Sequence, residues 1–235
     1  MRRAEGKPTS EPGREINPWL LFAVGHLLVS LACLIQWGQP SPWTRLDIFS
    51  GGFLVMRALP VVRWILSPFR VRGATESRRE RYGSTAAPDF LGFTLVLGIA
   101  DLAIYLDYGH WHLVPLLQQP IAQAAGLVLH LAVALWNRWT SRYHRAAFAN
   151  EALRPALVRS GPYAHIRHPI YAGAMLQKIA AALVFGSAVG WVLVVLWWVL
   201  LLRQVRLEEI HLRGLFGDEY EAYARKTAKL APGIF

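Results

Sequence analysis

The chain has 235 residues, of which 54% are hydrophobic and only 17% are charged, against about 25% charged in an average globular protein. Its mean hydropathy is +0.29, and 25 Lys and Arg against 15 Asp and Glu leave a net charge of +10. This balance excludes a disordered chain, the single cysteine (Cys33) excludes an internal disulfide framework, and a basic surplus in so apolar a chain points to the anionic inner face of a membrane rather than to nucleic acid.

In chain order, residues 1–17 are polar and mixed in charge and read as a cytoplasmic N-terminal tail. They do not read as a signal peptide, because the apolar run that follows is too long and carries no small-residue cleavage site. Six apolar stretches follow, at 18–37, 48–66, 89–108, 120–139, 169–186 and 190–202, each roughly as long as a bilayer core requires of a helix. The last is the shortest and is expected to continue as helix to about His211. It forms a hairpin with its predecessor, turning at Gly186-Ser187. The fold class expected is all-α: a polytopic membrane protein of about six transmembrane helices, with a C-terminal helical hairpin and an amphipathic cytoplasmic tail. Residues 18–139 form a four-helix transmembrane region, and 140–235 the region that carries the chemistry.

Placing the N-terminus inside puts the loops 67–88 and 140–168 and the tail from Arg203 on the same side. Outside the spans, every basic residue except Arg45 then lies on that side, as the positive-inside rule requires. Both termini and the site are therefore expected in the cytoplasm, at the inner membrane if the source is bacterial. Ionisable residues within spans must face protein or water. Arg57 and Asp101 sit at similar depth on neighbouring spans and are predicted to pair. Arg63 can snorkel to the cytoplasmic edge, and His26 and His130 read as core histidines. No clustering of ligand types suggests a metal site.

From Leu157 the character of the sequence changes. Ser160-Gly161-Pro162 is a turn, and Pro169 suits the first position of a helix. The free N–H groups of that helix start favour an anionic group. Tyr163, Arg167, His168 and Tyr171 gather around it. The hairpin then returns Arg203-Gln204-Val205-Arg206-Leu207-Glu208-Glu209 to the level of His168. Adjacent residues of a helix point about 100° apart, so only one of Glu208 and Glu209 faces the cavity. Phe216, Tyr220 and Tyr223 follow at i, i+4 and i+7, the stripe of a helix lying on the membrane surface.

Taken singly, these residues suit ordinary interfacial positions. In order, Gly161-Pro162-Tyr163, Arg167-His168-Pro169-x-Tyr171-x-Gly173, Glu208-Glu209, Phe216-Gly217-x-Glu219-Tyr220-x-x-Tyr223 and Pro232 resemble the integral-membrane isoprenylcysteine carboxyl methyltransferases and their phospholipid methyltransferase relatives. The resemblance covers about residues 153–235. It implies an S-adenosylmethionine enzyme without a Rossmann fold, and the chain has no Gly-rich strand-to-helix turn of the dinucleotide type. It places the cofactor on Pro155, Ala156, Leu157, Val158, Tyr163, His168, Pro169, Ile170, Tyr171 and Glu208. Where the prenylcysteine enzymes place an Arg to hold the substrate carboxylate, this chain has Gln204. Arg203 and Arg206 on either side become the candidates for that role, with Glu209 or His165 as proton acceptor for an acceptor that must lose one.

The expected activity is methyl transfer to a lipophilic acceptor drawn from the membrane, first of all the carboxylate of a prenylcysteine-like substrate. A phospholipid or a small amine or thiol is the alternative acceptor. Two other classes compete. A sterol-reductase-like NADPH enzyme would show Trp in the turn and Asn after the Arg-His, where this chain has Pro162-Tyr163 and Pro169. A transporter or scaffold would show internal symmetry.

Overall fold

In a computed structural model the described residues, 24–25, 28, 47–65, 101–149 and 157–231, form helices joined by short turns, with no strand among them. The expected span at 18–37, His26, residues 89–100 of the third span, Pro155, Ala156, Pro232 and the side chain of Arg63 lie outside what is described. Of the described helices, two are long and apolar enough to cross a membrane, within Pro120–Tyr143 and Ala188–Phe216, and Ile48–Leu59 and Pro169–Phe185 are shorter apolar helices.

Helix α1, Ile48–Ile65, starts where the Asp47 carboxylate accepts the N–H groups of Phe49 and Ser50 at 2.9 and 2.8 Å. These are two of the donors that a helix start leaves without an intrahelical partner. Residues 101–106 are helical and run into a π-turn at Asp107–Trp111, closed by His112 at φ 49°. Asp107 is buried and accepts from Ser187 Oγ at 2.6 Å, Leu113 N at 3.0 Å and Val189 N at 3.2 Å. One carboxylate thus ties this turn to the tip of the C-terminal hairpin.

Helix α2, Pro120–Ala149, runs ten residues beyond the predicted 120–139. No Gly or Pro interrupts 140–149, so the helix continues after its apolar stretch ends. It packs closely on α3, Pro169–Phe185. A Cβ on Gly126 would stand 2.7 Å from Val184 N and 2.9 Å from Ala180 O, so only glycine permits that approach. Gln123 Nε2 donates to Val184 O at 3.1 Å and Trp136 Nε1 to Pro169 O at 3.0 Å, fastening the two ends of the seam.

The hairpin turns at Gly186-Ser187 as predicted. Gly186 has φ 50°, and the Ser187 hydroxyl caps helix α4, Ala188–Phe216, by accepting from Gly190 N at 2.9 Å. Helix α4 also continues further than the expected His211, since no Pro interrupts 212–216, and it stops at Gly217 with φ 51°. Its apolar run ends at Leu202, so Arg203 to Phe216 form a more polar extension of the apolar part. The short helix α5, Asp218–Ala224, follows at once. The predicted surface stripe is divided by this break: Phe216 ends α4, while Tyr220 and Tyr223 turn inward, at 0% and 8% exposure, and pack on the protein.

The predicted Arg57–Asp101 pair is present, with Arg57 Nη2 3.1 Å from Asp101 Oδ2. A partner the sequence did not indicate joins it: Lys178 of α3 hydrogen-bonds the other carboxylate oxygen. His130 is the buried core histidine expected, its ring 4.3 Å from that of Phe53 and its Nδ1 in contact with Gln177.

Candidate functional site

The site forms where the start of α3, the polar extension of α4 and the C-terminal tail meet. A 3-10 turn, Gly161–Ala164, enters it. Gly161 has φ 59° and lies flat against the Tyr143 ring, where a Cβ would fall 2.5 Å from Cζ. The turn is thereby docked on the end of α2. Tyr163 is buried, and its carbonyl accepts the Tyr223 hydroxyl at 2.7 Å.

Residues 165–168 pair with the tail around a single parallel bridge, Ile166 to Ala228. Arg167 N donates to Ala228 O at 2.8 Å, His168 N to Lys229 O at 3.1 Å, and Ala228 N to His165 O at 3.0 Å. Pro169 then begins α3 directly after His168, which is 4% exposed. On α4, Leu201, Val205 and Glu209 follow a period of four and are buried, while Gln204 and Glu208 share the half-buried flank beside them.

Glu209 is the buried member of the glutamate pair. Its Oε1 lies 3.1 Å from Arg167 Nε and 3.5 Å from His168 Nε2, and its Oε2 lies 3.3 Å from Lys229 Nζ and 3.8 Å from Arg213 Nη2. Burial alone would raise this carboxyl. The close imidazole of His168, the Arg167 hydrogen bond and the Lys229 charge outweigh burial and hold it at about 2. A carboxyl depressed in the folded state contributes stability above its unfolded value near 4.5, and that stability is lost as pH falls toward about 2. Docking of the tail, followed by Trp fluorescence, is expected to weaken through that window. An acid profile left unchanged by Glu209→Gln would contradict this.

Glu208 differs. Its Oε2 is buried without a hydrogen-bond partner among the described residues, 4.0 Å from His168 Nδ1. His168 Nε2 likewise has no hydrogen-bond partner among them, so the imidazole stands between the two glutamates with bonding capacity to spare. The Tyr171 ring is 5.8 Å from it and packs against the core of Trp197, Leu201, Val205 and Leu230. Burial raises the phenols of Tyr220 and Tyr223, the latter to about 12, so both remain neutral hydrogen-bonding groups.

Of the residues the sequence singled out, Tyr163, His168, Pro169, Ile170, Tyr171, Glu208 and Glu209 converge at this junction, and Leu157 and Val158 lead into its turn, half-buried. Arg203, Arg206 and His165 are exposed. Among the described residues neither arginine has an ion-pair partner. Lys229, Thr227 and Ala228 were not anticipated, since a tail segment of so few residues carries no periodic signal.

Residues 120–219 match the family model for phospholipid methyltransferase. Over this segment, less than half of the chain, it is similar to the phospholipid methyltransferases. A protein-S-isoprenylcysteine O-methyltransferase of Schizosaccharomyces pombe is 34% identical over 79 residues, which are 33% of this chain and 34% of that protein. The match thus spans about a third of the length of this curated relative. The matched segment takes in α2, the turn at Gly161, α3 and α4, while α1 and the Arg57–Asp101 pair lie before it.

Proposed function

We propose that the protein transfers a methyl group from S-adenosylmethionine to a lipophilic acceptor at the cytoplasmic face of a membrane. The observation that carries this is the pair of buried polar groups at the start of α3 without a hydrogen-bond partner among the described residues, Glu208 Oε2 and His168 Nε2, inside the segment matched by the family model. These groups fit the donor's polar end: a carboxylate oxygen accepts from an ammonium or ribose hydroxyl, and an imidazole bonds a carboxylate or hydroxyl. Tyr163 and Tyr171, with the backbone at Leu157 and Val158, would complete its seat, as would Pro155 and Ala156.

When bound, the donor supplies an electrophilic methyl on a sulfonium. The chain's part is to align the acceptor atom behind that carbon and exclude water. A carboxylate acceptor has no proton to lose. An amine or thiol must give one up, and of the two acceptors expected for it Glu209 is already engaged by Arg167 and Lys229 while His165 is exposed.

A prenylcysteine-like carboxylate is the first acceptor class, supported by the match to the yeast isoprenylcysteine enzyme. The exposure of Arg203 and Arg206, which would have held that carboxylate, favours a phospholipid amine or a thiol as the second. Purified protein incubated with methyl-tritiated S-adenosylmethionine and membrane lipid extract tests both. Methyl label released as methanol by mild base marks an ester, and base-stable label in the lipid marks N- or S-methylation. Failure to retain the labelled donor, or retention of NADPH instead, would remove the methyltransferase reading.

A further inference from the structure

We propose that Glu209 and Arg167 do not meet ligand but are positioning residues, which hold the C-terminal segment 227–231 as a strap across the site and leave Glu208 and His168 to contact what binds there. The strap assignment stands on geometry alone, whereas the share given to Glu208 and His168 rests on the methyl-donor reading above.

The capacity of Glu209 is used up within the protein. Both of its oxygens face cationic or imidazole nitrogens, and the side chain is 4% exposed. Arg167 passes the connection on: besides Glu209 it donates through Nη1 to Ala224 O at 2.7 Å and to Thr227 O. Lys229, on the strap itself, closes the circuit at 3.3 Å from Glu209 Oε2. One carboxylate on α4 thereby grips the strap twice, once through a guanidinium and once through an ammonium.

The strap needs that grip. Its backbone pairing with residues 165–168 amounts to three hydrogen bonds, and a two-stranded pairing so short is marginal by itself. Leu230, packed against Trp197, Leu201 and Val205, supplies its apolar anchor. The strap runs alongside Arg167 and His168, so its position sets that of the imidazole: His168 N is bonded to Lys229 O while the ring stands between the glutamates. Neutralising Glu209 leaves Arg167 and Lys229 without their shared anion and frees the edge of the site. Neutralising Glu208, whose Oε2 has no hydrogen-bond partner among the described residues, leaves the strap in place.

Hydrogen exchange of the full-length protein in lipid nanodiscs, read by mass spectrometry over 165–168 and 226–231, tests the division. Glu209→Gln is expected to speed exchange of the Arg167, His168 and Ala228 amides about tenfold or more, as local opening becomes easier. It should raise the KM for S-adenosylmethionine about tenfold while kcat stays within about threefold. Arg167→Lys, which keeps one charge and loses the fork, should fall between wild type and Glu209→Gln in both measures. Glu208→Ala should leave exchange at the wild-type rate while weakening donor binding. Wild-type exchange in both Glu209→Gln and Arg167→Lys, or a loss confined to kcat in Glu209→Gln, would overturn the proposal. Faster exchange in a protein that binds no S-adenosylmethionine would uphold the strap and refute the donor reading instead.

Discussion

Asp101→Asn is expected to destabilise the folded protein by about 3–5 kcal/mol, the range seen when one partner of a buried ion pair is removed. Asp101 has a side chain 5% exposed and receives Arg57 of α1 on one oxygen and Lys178 of α3 on the other. Removing its charge strands two cations among apolar helices, where each needs a partner. The aromatic rings nearby are a poor substitute: Arg57 stands 6.0 Å from the Phe53 centroid and Lys178 stands 5.8 Å from that of Trp197. Adding Lys178→Met to Asp101→Asn should recover part of the loss, because one stranded cation is then gone. Thermal unfolding in detergent, followed by Trp fluorescence, measures both variants. If Asp101→Asn melts with the wild type, the three residues do not hold α1 to the hairpin.

His168→Ala and Glu208→Ala are each expected to weaken S-adenosylhomocysteine binding roughly 10- to 100-fold, the effect of losing a hydrogen bond to a charged group. Glu208 Oε2 has no hydrogen-bond partner among the described residues, so its truncation removes a ligand contact without orphaning a neighbour there, whereas His168→Ala also takes the imidazole away from Glu209 Oε1. Titration calorimetry on the purified variants gives the change directly. Unchanged affinity in both, with unfolding temperatures intact, would mean that the donor binds elsewhere. The two substitutions also separate by charge. Glu208→Gln keeps the shape and one acceptor oxygen, so a ribose hydroxyl partner should tolerate it, whereas an ammonium partner should not.

Much of this architecture was legible before the structure. Pro169 announced the start of α3 and Gly186-Ser187 the hairpin turn, because both act through backbone dihedrals that neighbours cannot override cheaply. The Arg57–Asp101 pair followed from two lone charges within neighbouring apolar stretches, since apolar surroundings leave so few alternatives. Lys178 was harder to foresee. It lies 77 residues from Asp101, and whether it faces α1 or the lipid depends on how α3 is rotated against α2. That rotation is set by close contacts such as Gly126 on Val184, which no single-helix pattern discloses.

The site divides along the same line. The sequence by itself determined that the chain is helical and apolar and which motif residues could gather at the start of α3. It also established that one glutamate of the Glu208-Glu209 pair must turn away from the other, because helix period is a local property. Only the tertiary structure decided that Glu209 is the one consumed by Arg167 and Lys229, that Arg203 and Arg206 face outward, and that the tail pairs with residues 165–168. Those outcomes depend on the rotation of each helix about its axis and on pairing between segments some sixty residues apart. Both are fixed by packing between helices, whereas hydrophobic period and charge are properties of each segment alone.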